Sequence, residues 1–365
     1  MLDVLIVSLG STGGLRTADD ELLASLQRGG ARAAMVRAKP PRAVRTMMLT
    51  DLLWALAARR AAVTQLRRTP ARALLYSSST AALLWPRPGA IRFDALAAGN
   101  RPGRHGSWQR PLERRRLREA SLLLPWSKGA LDELRMPSRD APSLPPVSTP
   151  ILTMAVPIEP SSGPIEPSHG APSHGEPSKG ESSPGELSGG IAERDITAFA
   201  YVANPVKKGL HRILEAWHAA HQPGEQLVLA GASEDELRGY GYTLPAEGVK
   251  VLPMLPYDEY RALLRRTRLF ICAALREDYG IAQLEALADG CTLVTTPSPG
   301  PYVALPIARS LDARLVGEDL ARAVRAALDE PAPDYAARAA LALERFRSAE
   351  LDRIVAEDLL PLLLA

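Results

Sequence analysis

Cysteine is nearly missing from this chain: two residues in 365. Cys272 and Cys291 both fall in apolar stretches, and neither belongs to a C-x-x-C or Cys/His cluster. That excludes a disulfide framework and a thiolate metal site, and leaves two buried thiols. Histidine is scarce too, and the close pair His169 and His174 lacks the further spacing a metal site needs. No D-x-D stands in a polar loop after a strand, so no metal and no cofactor are expected. Apolar runs are short, none approaching the ~18–20 residues of a spanning helix. The opening Met1-Leu2-Asp3-Val4-Leu5-Ile6-Val7 carries an acid where a secretory leader would carry positive charge, and no small-residue cleavage pattern follows. A cytoplasmic location is the expectation. Charge of one sign is lacking as well, the formal total being +3, so nucleic acid is not an expected partner. The exception is local: Arg101 to Arg118 holds seven arginines against Glu113 alone. That stretch reads as a solvated helix face, or as peripheral contact with the inner face of an anionic membrane or with a lipid-linked acceptor.

The length suits two domains at roughly 100–200 residues each. Leu2 to Leu9 is an apolar run of strand length, followed by Gly10-Ser11-Thr12-Gly13-Gly14 and a helical pattern with Leu22, Leu23 and Leu26. The alternation continues through Ala31–Val36, the amphipathic Met47–Arg68, Ala73–Ser77, Ile91–Asp94 and Leu122–Ser127. Pro150–Val156 reads as the last strand of this half. Fully apolar strands separated by helices imply a parallel, doubly wound sheet.

From 157 to 193 the composition collapses into Glu, Pro, Ser, Gly and His, with too few apolar side chains to offset the entropy of ordering. This is the expected interdomain linker. After it the alternation restarts: strands at Ile196–Val202, Gln226–Leu229, Val249–Leu252, Leu269–Ala273 and Thr292–Thr295, with helices at Gly209–His221, Tyr257–Arg266 and Ile281–Ala288. The expected division is residues 1–156 and 194–334 as two α/β domains. A helical tail, 335–365, packs on one domain or bridges both.

Four segments could carry chemistry. In Glu277-Asp278-Tyr279-Gly280-Ile281-Ala282-Gln283-Leu284-Glu285, two glutamates bracket a strand-to-helix loop, and Glu285 sits on an otherwise apolar helix. A buried, unpaired carboxylate costs several kcal/mol, so Glu285 must have polar partners or line a cleft. A ribose diol would suit it, and the free amides of Gly280 to Ala282 suit anionic or hydroxyl groups beside it. The alternative is a structural network in which Glu285 pairs with an arginine.

In Ala203-Asn204-Pro205-Val206-Lys207-Lys208-Gly209, two lysines precede a helix start, where a diphosphate would also meet backbone amides. Thr295-Thr296-Pro297-Ser298-Pro299-Gly300 follows a strand at its carboxyl end, the ligand-binding side of open α/β sheets. Gly13-Gly14 follows the first strand, where glycine permits close approach to a phosphate, or simply a tight turn.

In their order these segments, with Leu227 to Gly231 and Gly290, give a chain that resembles the retaining GT-B glycosyltransferases of the glycogen-synthase-like group 1, or GT4, type. The resemblance implies two Rossmann-like domains facing a cleft, with a C-terminal helix crossing back to the first. It implies transfer of a sugar from a UDP- or GDP-linked donor to a carbohydrate, lipid-linked or small-molecule acceptor, without a metal. Glu277 would contact the transferred sugar and Glu285 the ribose, while Tyr279, Gly280 and Ile281 would lie at the sugar and phosphates. Lys208 would neutralise the leaving diphosphate, and Met254 and Leu255, within Pro253 to Leu255, would read the base through main chain. The Gly13-Gly14 loop would cover the diphosphate.

Two departures stand out. Ala203-Asn204 replaces the Gly-Arg that the family carries before its lysine, leaving Lys207 as a substitute cation. The strand that often ends in His ends here in Arg92-Phe93-Asp94, which makes Asp94 a candidate for orienting a sugar and His105, in a glycine-rich loop, a second. A nucleotide-sugar-binding module without catalysis, or a relative that hydrolyses or epimerises the sugar nucleotide, are the alternative functions.

Overall fold

The computed structural model describes residues 1–42, 44, 46–135, 149–162, 194–245 and 247–365. The linker residues from 163 to 193, with His169 and His174, lie outside the described residues.

Two five-stranded sheets form, each wholly parallel. In the first, β1 (Leu2–Ser8), β2 (Ala33–Arg37), β3 (Ala71–Tyr76), β4 (Ala90–Phe93) and β5 (Leu122–Pro125) lie in the order β2-β1-β3-β4-β5. In the second, β6 (Ile196–Tyr201), β7 (Leu227–Ala230), β8 (Val249–Leu252), β9 (Thr267–Cys272) and β10 (Thr292–Thr295) lie in the order β10-β9-β6-β7-β8. The apolar character of these strands has its cause in their coverage, since helices pack on both faces and bury side chains pointing either way. Each order reverses direction once, between β1 and β3 and between β6 and β9. At such a switch point neighbouring loops diverge to opposite faces and leave a crevice at the carboxyl ends of the strands.

Three expectations change. Pro150–Val156 runs alongside β5 but forms only a single bridge, Ile151 to Leu123. The Met154 amide reaches the Pro125 carbonyl at 2.9 Å, and Pro125 has no N–H to return, so the ladder stops there. Residues 157–162, placed in the linker by composition, are anchored to the fold through Ile158, which is buried and whose amide donates to the Phe346 carbonyl at 2.6 Å. The tail is not helical throughout. After the helix Tyr335–Ala342 it tightens into a 3-10 turn, Glu344–Phe346, extends at Arg347, and resumes as Ser348–Ile354.

That break redirects the chain. Tyr335, Ala339 and Phe346 belong to the core of the second domain, whereas Leu351, Val355, Leu359 and Leu360 pack with Val4, Ile6, Leu22 and Leu26 of the first. Arg28 grips Asp352 through two nitrogens at 2.8 and 2.9 Å. The tail therefore bridges both domains. No helix among the described residues is long and apolar enough to cross a membrane.

Candidate active site

The loops leaving β6 and β9 flank the switch point of the second sheet and hold the acid and lysine side chains singled out above. The loop after β6 is shaped by Asn204, whose side-chain oxygen accepts the Lys207 amide at 3.0 Å while its carbonyl accepts the Lys208 amide at 2.8 Å. Asn204 thus folds the turn where a cation was expected. The turn ends at Gly209, whose φ of 65° lies in the left-handed region and whose missing Cβ would overlap the Ala273 carbonyl. With only hydrogen in that space, the β6 loop presses against the β9 loop, and the Leu275 amide bonds the Lys207 carbonyl at 2.9 Å.

Close approach of the two backbones brings the side chains together. Lys208 Nζ lies 2.7 Å from Glu277 Oε2, which also accepts Gln283 Nε2 at 3.0 Å. Burial works to lower the Lys208 pKa, but the Glu277 carboxylate overrides it and holds the ammonium above its ordinary value. Lys207 Nζ meets Asp278 Oδ2 at 3.0 Å. From behind, the loop after β10 braces the segment: the Glu277 amide donates to the Pro299 carbonyl at 3.1 Å.

Gly280, φ 91°, turns the chain into the helix Ile281–Ala288. A side chain there would collide with Tyr302, so glycine is required by both conformation and space. Ile281 opens the helix and touches the other domain: a Cβ on Gly14 would stand 3.0 Å from Ile281 Cδ1. Gly13 and Gly14 form the first turn of the helix Gly13–Arg28 instead of a loop, and the left-handed position after β1 is Gly10, φ 57°. The tight turn therefore falls three residues before Gly13, and Thr12 caps the helix by accepting the Leu15 amide.

Tyr279, placed at the ligand by resemblance, is directed elsewhere. Its ring packs edge-on against Trp126 at 5.3 Å, and its hydroxyl accepts the Val156 amide at 3.0 Å. The side chain is a joint between domains, leaving only its main chain for a ligand. Glu285 is buried and receives the Tyr257 hydroxyl at 2.8 Å, while Arg261 donates to the same hydroxyl at 2.8 Å. Burial raises the Glu285 pKa against the opposing pull of Arg261 and Tyr257. The arginine network considered for Glu285 therefore exists, through one intervening phenol.

Farther out, Met254 is exposed and receives the Tyr201 hydroxyl on its sulfur at 3.5 Å, and Leu255 is half-buried beside it in sequence.

From the first domain, Asp94 sits at the carboxyl end of β4. It keeps some exposed surface, yet burial in the crevice and then the negative charge of Asp278 push its carboxyl up to about 6. Its neighbour Arg92 is fully buried, bonds the Ala18 carbonyl at 3.2 Å, and lies over Trp126. His105 is on an exposed 3-10 turn and shares no hydrogen bond or ion pair with this cluster among the described residues. Three arginines of the same stretch are engaged within their own domain: Arg101 with Asp51 at 2.7 Å, and Arg115 and Arg116 with Glu119 at 2.7 and 2.8 Å.

Arg276, Gln283, Tyr257, Arg261 and Asp289 escaped the sequence reading. Arg276 joins Glu133 at 2.6 Å and Asn100 at 3.0 Å across the cleft, and Arg261 pairs with Asp289 at 2.7 and 2.8 Å. The one signal for Arg261 was its place four residues after Tyr257, on one helix face.

Residues 189–338, which span the second domain, match the family described as Glycosyl transferases group 1. No curated protein matches the chain by sequence. Among solved structures, the chain is similar to WaaG, a glycosyltransferase involved in lipopolysaccharide biosynthesis, at 14% identity and TM-score 0.64, covering 98% of this chain and 100% of that one. It is similar to Anabaena HepE in complex with UDP and glucose, at 13% identity and TM-score 0.62, covering 98% and 99%. It is also similar to the catalytic domain of Arabidopsis thaliana starch synthase IV bound to ADP and acarbose, at 13% identity and TM-score 0.64, covering 97% and 99%. At these identities the likeness establishes the two-domain GT-B fold.

Proposed function

We propose that this protein transfers a sugar, with retention of anomeric configuration and without a metal ion, from a UDP- or GDP-linked donor held on the group 1 domain. The observation that carries the reading is the convergence of Lys208 and Glu277 at 2.7 Å on the β6/β9 switch point, with Glu285 on the helix Ile281–Ala288 that follows the Glu277 loop. A cation beside a carboxylate suits the diphosphate and sugar of a donor, and a buried carboxylate on the helix that follows suits its ribose.

In the free protein Lys208 and Glu277 neutralise each other. A donor diphosphate offers Lys208 a stronger partner and releases Glu277 to accept hydroxyls of the sugar. Amides at the start of the helix Ile281–Ala288 add partial positive charge beside the phosphates. The bond from the anomeric carbon to the phosphate oxygen breaks, the acceptor oxygen bonds to that carbon on the same face, and the acceptor proton passes to the departing phosphate oxygen. No strong protein base is needed. Catalysis comes from positioning and from positive charge matched to the growing negative charge on the diphosphate. Asp94, across the cleft, orients a sugar hydroxyl. The acceptor is a carbohydrate, a lipid-linked sugar or a small molecule.

The test is a panel of UDP-, GDP- and ADP-sugars, with and without acceptor extracts, followed by nucleoside diphosphate release. Release from one donor, lost in Lys208→Ala, supports the reading. Absence of both binding and release across the panel overturns it.

A further inference from the structure

Arg261 is buried on the helix Tyr257–Arg265, and all three nitrogens of its guanidinium donate hydrogen bonds. Nε and Nη2 take the two Asp289 oxygens at 2.7 and 2.8 Å. Nη2 also reaches the Glu159 carbonyl at 2.8 Å, and Nη1 donates to the Tyr257 hydroxyl at 2.8 Å. Asp289 alone would neutralise the charge, so the bond from Nη1 to a neutral phenol is surplus to pairing.

That surplus bond has a directional effect. Arginine offers no acceptor, so the Tyr257 hydroxyl receives from Arg261 and must send its own hydrogen elsewhere. The acceptor in reach is Glu285 Oε1, at 2.8 Å. The relay is anchored where the chain crosses between domains: Asp289 Oδ1 accepts the Ser161 amide and hydroxyl, both at 2.8 Å, and Glu159 Oε1 caps the Ser348 amide at 2.6 Å. The Glu285 carboxylate, on a helix otherwise apolar apart from Gln283, is thereby tied at Oε1 to this base.

We propose that Arg261 is a positioning residue for the nucleotide: through the Tyr257 hydroxyl it presets the Glu285 carboxylate to receive the ribose hydroxyls of the donor. This rests on the reading that Glu285 meets the ribose.

The experiment is a chemical double cycle on the full chain. UDP, GDP and ADP, each with its 2′-deoxy and 3′-deoxy form, are titrated calorimetrically into wild type, Tyr257→Phe and Arg261→Lys. Tyr257→Phe keeps the half-exposed ring and removes only the relay oxygen, so a folded variant is expected. Hydrogen bonds to a charged group are worth about 10–100-fold in affinity. Wild type should therefore lose roughly that factor when the bonded ribose hydroxyl is deleted. In Tyr257→Phe and Arg261→Lys the affinity for the parent nucleotide should fall roughly 10-fold and the deoxy penalty should shrink below about 3-fold. A merely structural role weakens parent and deoxy forms alike and leaves the penalty intact, which overturns the relay while leaving the transferase reading in place. Wild type that binds every deoxy form as well as its parent removes Glu285 from the ribose and the relay with it. Wild type that binds none of the three nucleotides overturns both proposals.

Discussion

Arg276 Nη2 lies 2.6 Å from Glu133 Oε1, so the residue immediately before Glu277 is fastened to the opposite domain. The same side chain accepts no substitute easily. Its Nε serves both Asn100 Oδ1 at 3.0 Å and Asp278 Oδ1 at 2.8 Å, and a Cβ on Gly99 would displace the guanidinium. The cleft is therefore closed by a charged clasp directly beside the proposed sugar site.

Opening the clasp should cost catalysis more than folding. Glu133→Gln and Arg276→Ala are expected to retain the melting behaviour of each domain, increase the radius of gyration measured by small-angle scattering, and lower kcat/KM about 10-fold through lost orientation. An unchanged radius with unchanged kcat/KM would show that other contacts set the domain angle.

Lys208→Ala removes the cation matched to the departing diphosphate. A lost charge-stabilising donor of this kind typically slows kcat about 10²–10³-fold, and nucleotide release assays would read it directly. Glu277, relieved of its partner, should remain in place because Gln283 still donates to it at 3.0 Å. If Lys208→Ala turns over like wild type, the ion pair belongs to architecture alone.

Asp94 links pH to stability. Burial and Asp278 push its folded value up to about 6, above the roughly 3.9 of an unfolded aspartate. The folded chain then binds the proton more tightly, and stability falls as pH rises between about 4 and 6. Above that window the ionised group is kept at a cost, which Asp94→Asn removes. The variant should melt higher than wild type at pH 8, show little gain at pH 4.5, and lose transfer activity at least about 10-fold for want of the sugar contact. Equal melting differences at both pH values would contradict the shifted carboxyl.

Gly209→Ala and Gly280→Ala each demand a left-handed φ of an L side chain and insert a Cβ into the Ala273 carbonyl or the Tyr302 ring. Strain alone is worth about 1–3 kcal/mol. Urea unfolding should show a loss at least that large in the second domain, whereas Gly13→Ala, with open space around it, should be close to neutral. A small effect at Gly209 would mean the β6 loop can retreat.

Both parallel sheets were legible because burial on two faces writes long apolar runs, as in Leu2–Ser8 and Leu269–Cys272, and the helix limits of Met47–Arg68 and Ile281–Ala288 follow from the same pattern. Glu285 was legible as an anomaly, a charge among apolar neighbours. What stayed hidden depends on partners distant in sequence. The fate of the Tyr279 hydroxyl is decided by Val156, 123 positions away, and that of Arg276 by Glu133, 143 positions away. The turn after the first strand falls at Gly10 and not at Gly13, since Thr12 already caps the helix that Gly13 opens, and two adjacent glycines had masked that position.

The tail that crosses back has a consequence in time. Val4 and Ile6 lie in the first strand made, yet their packing partners include Val355 and Leu359. Contacts of such separation form late and slowly. During synthesis that face of the first sheet, covered in part by Leu22 and Leu26, must wait for the rest of its cover until the second domain has been made, and a stall near residue 340 should leave a nascent chain that binds chaperones through the uncovered part.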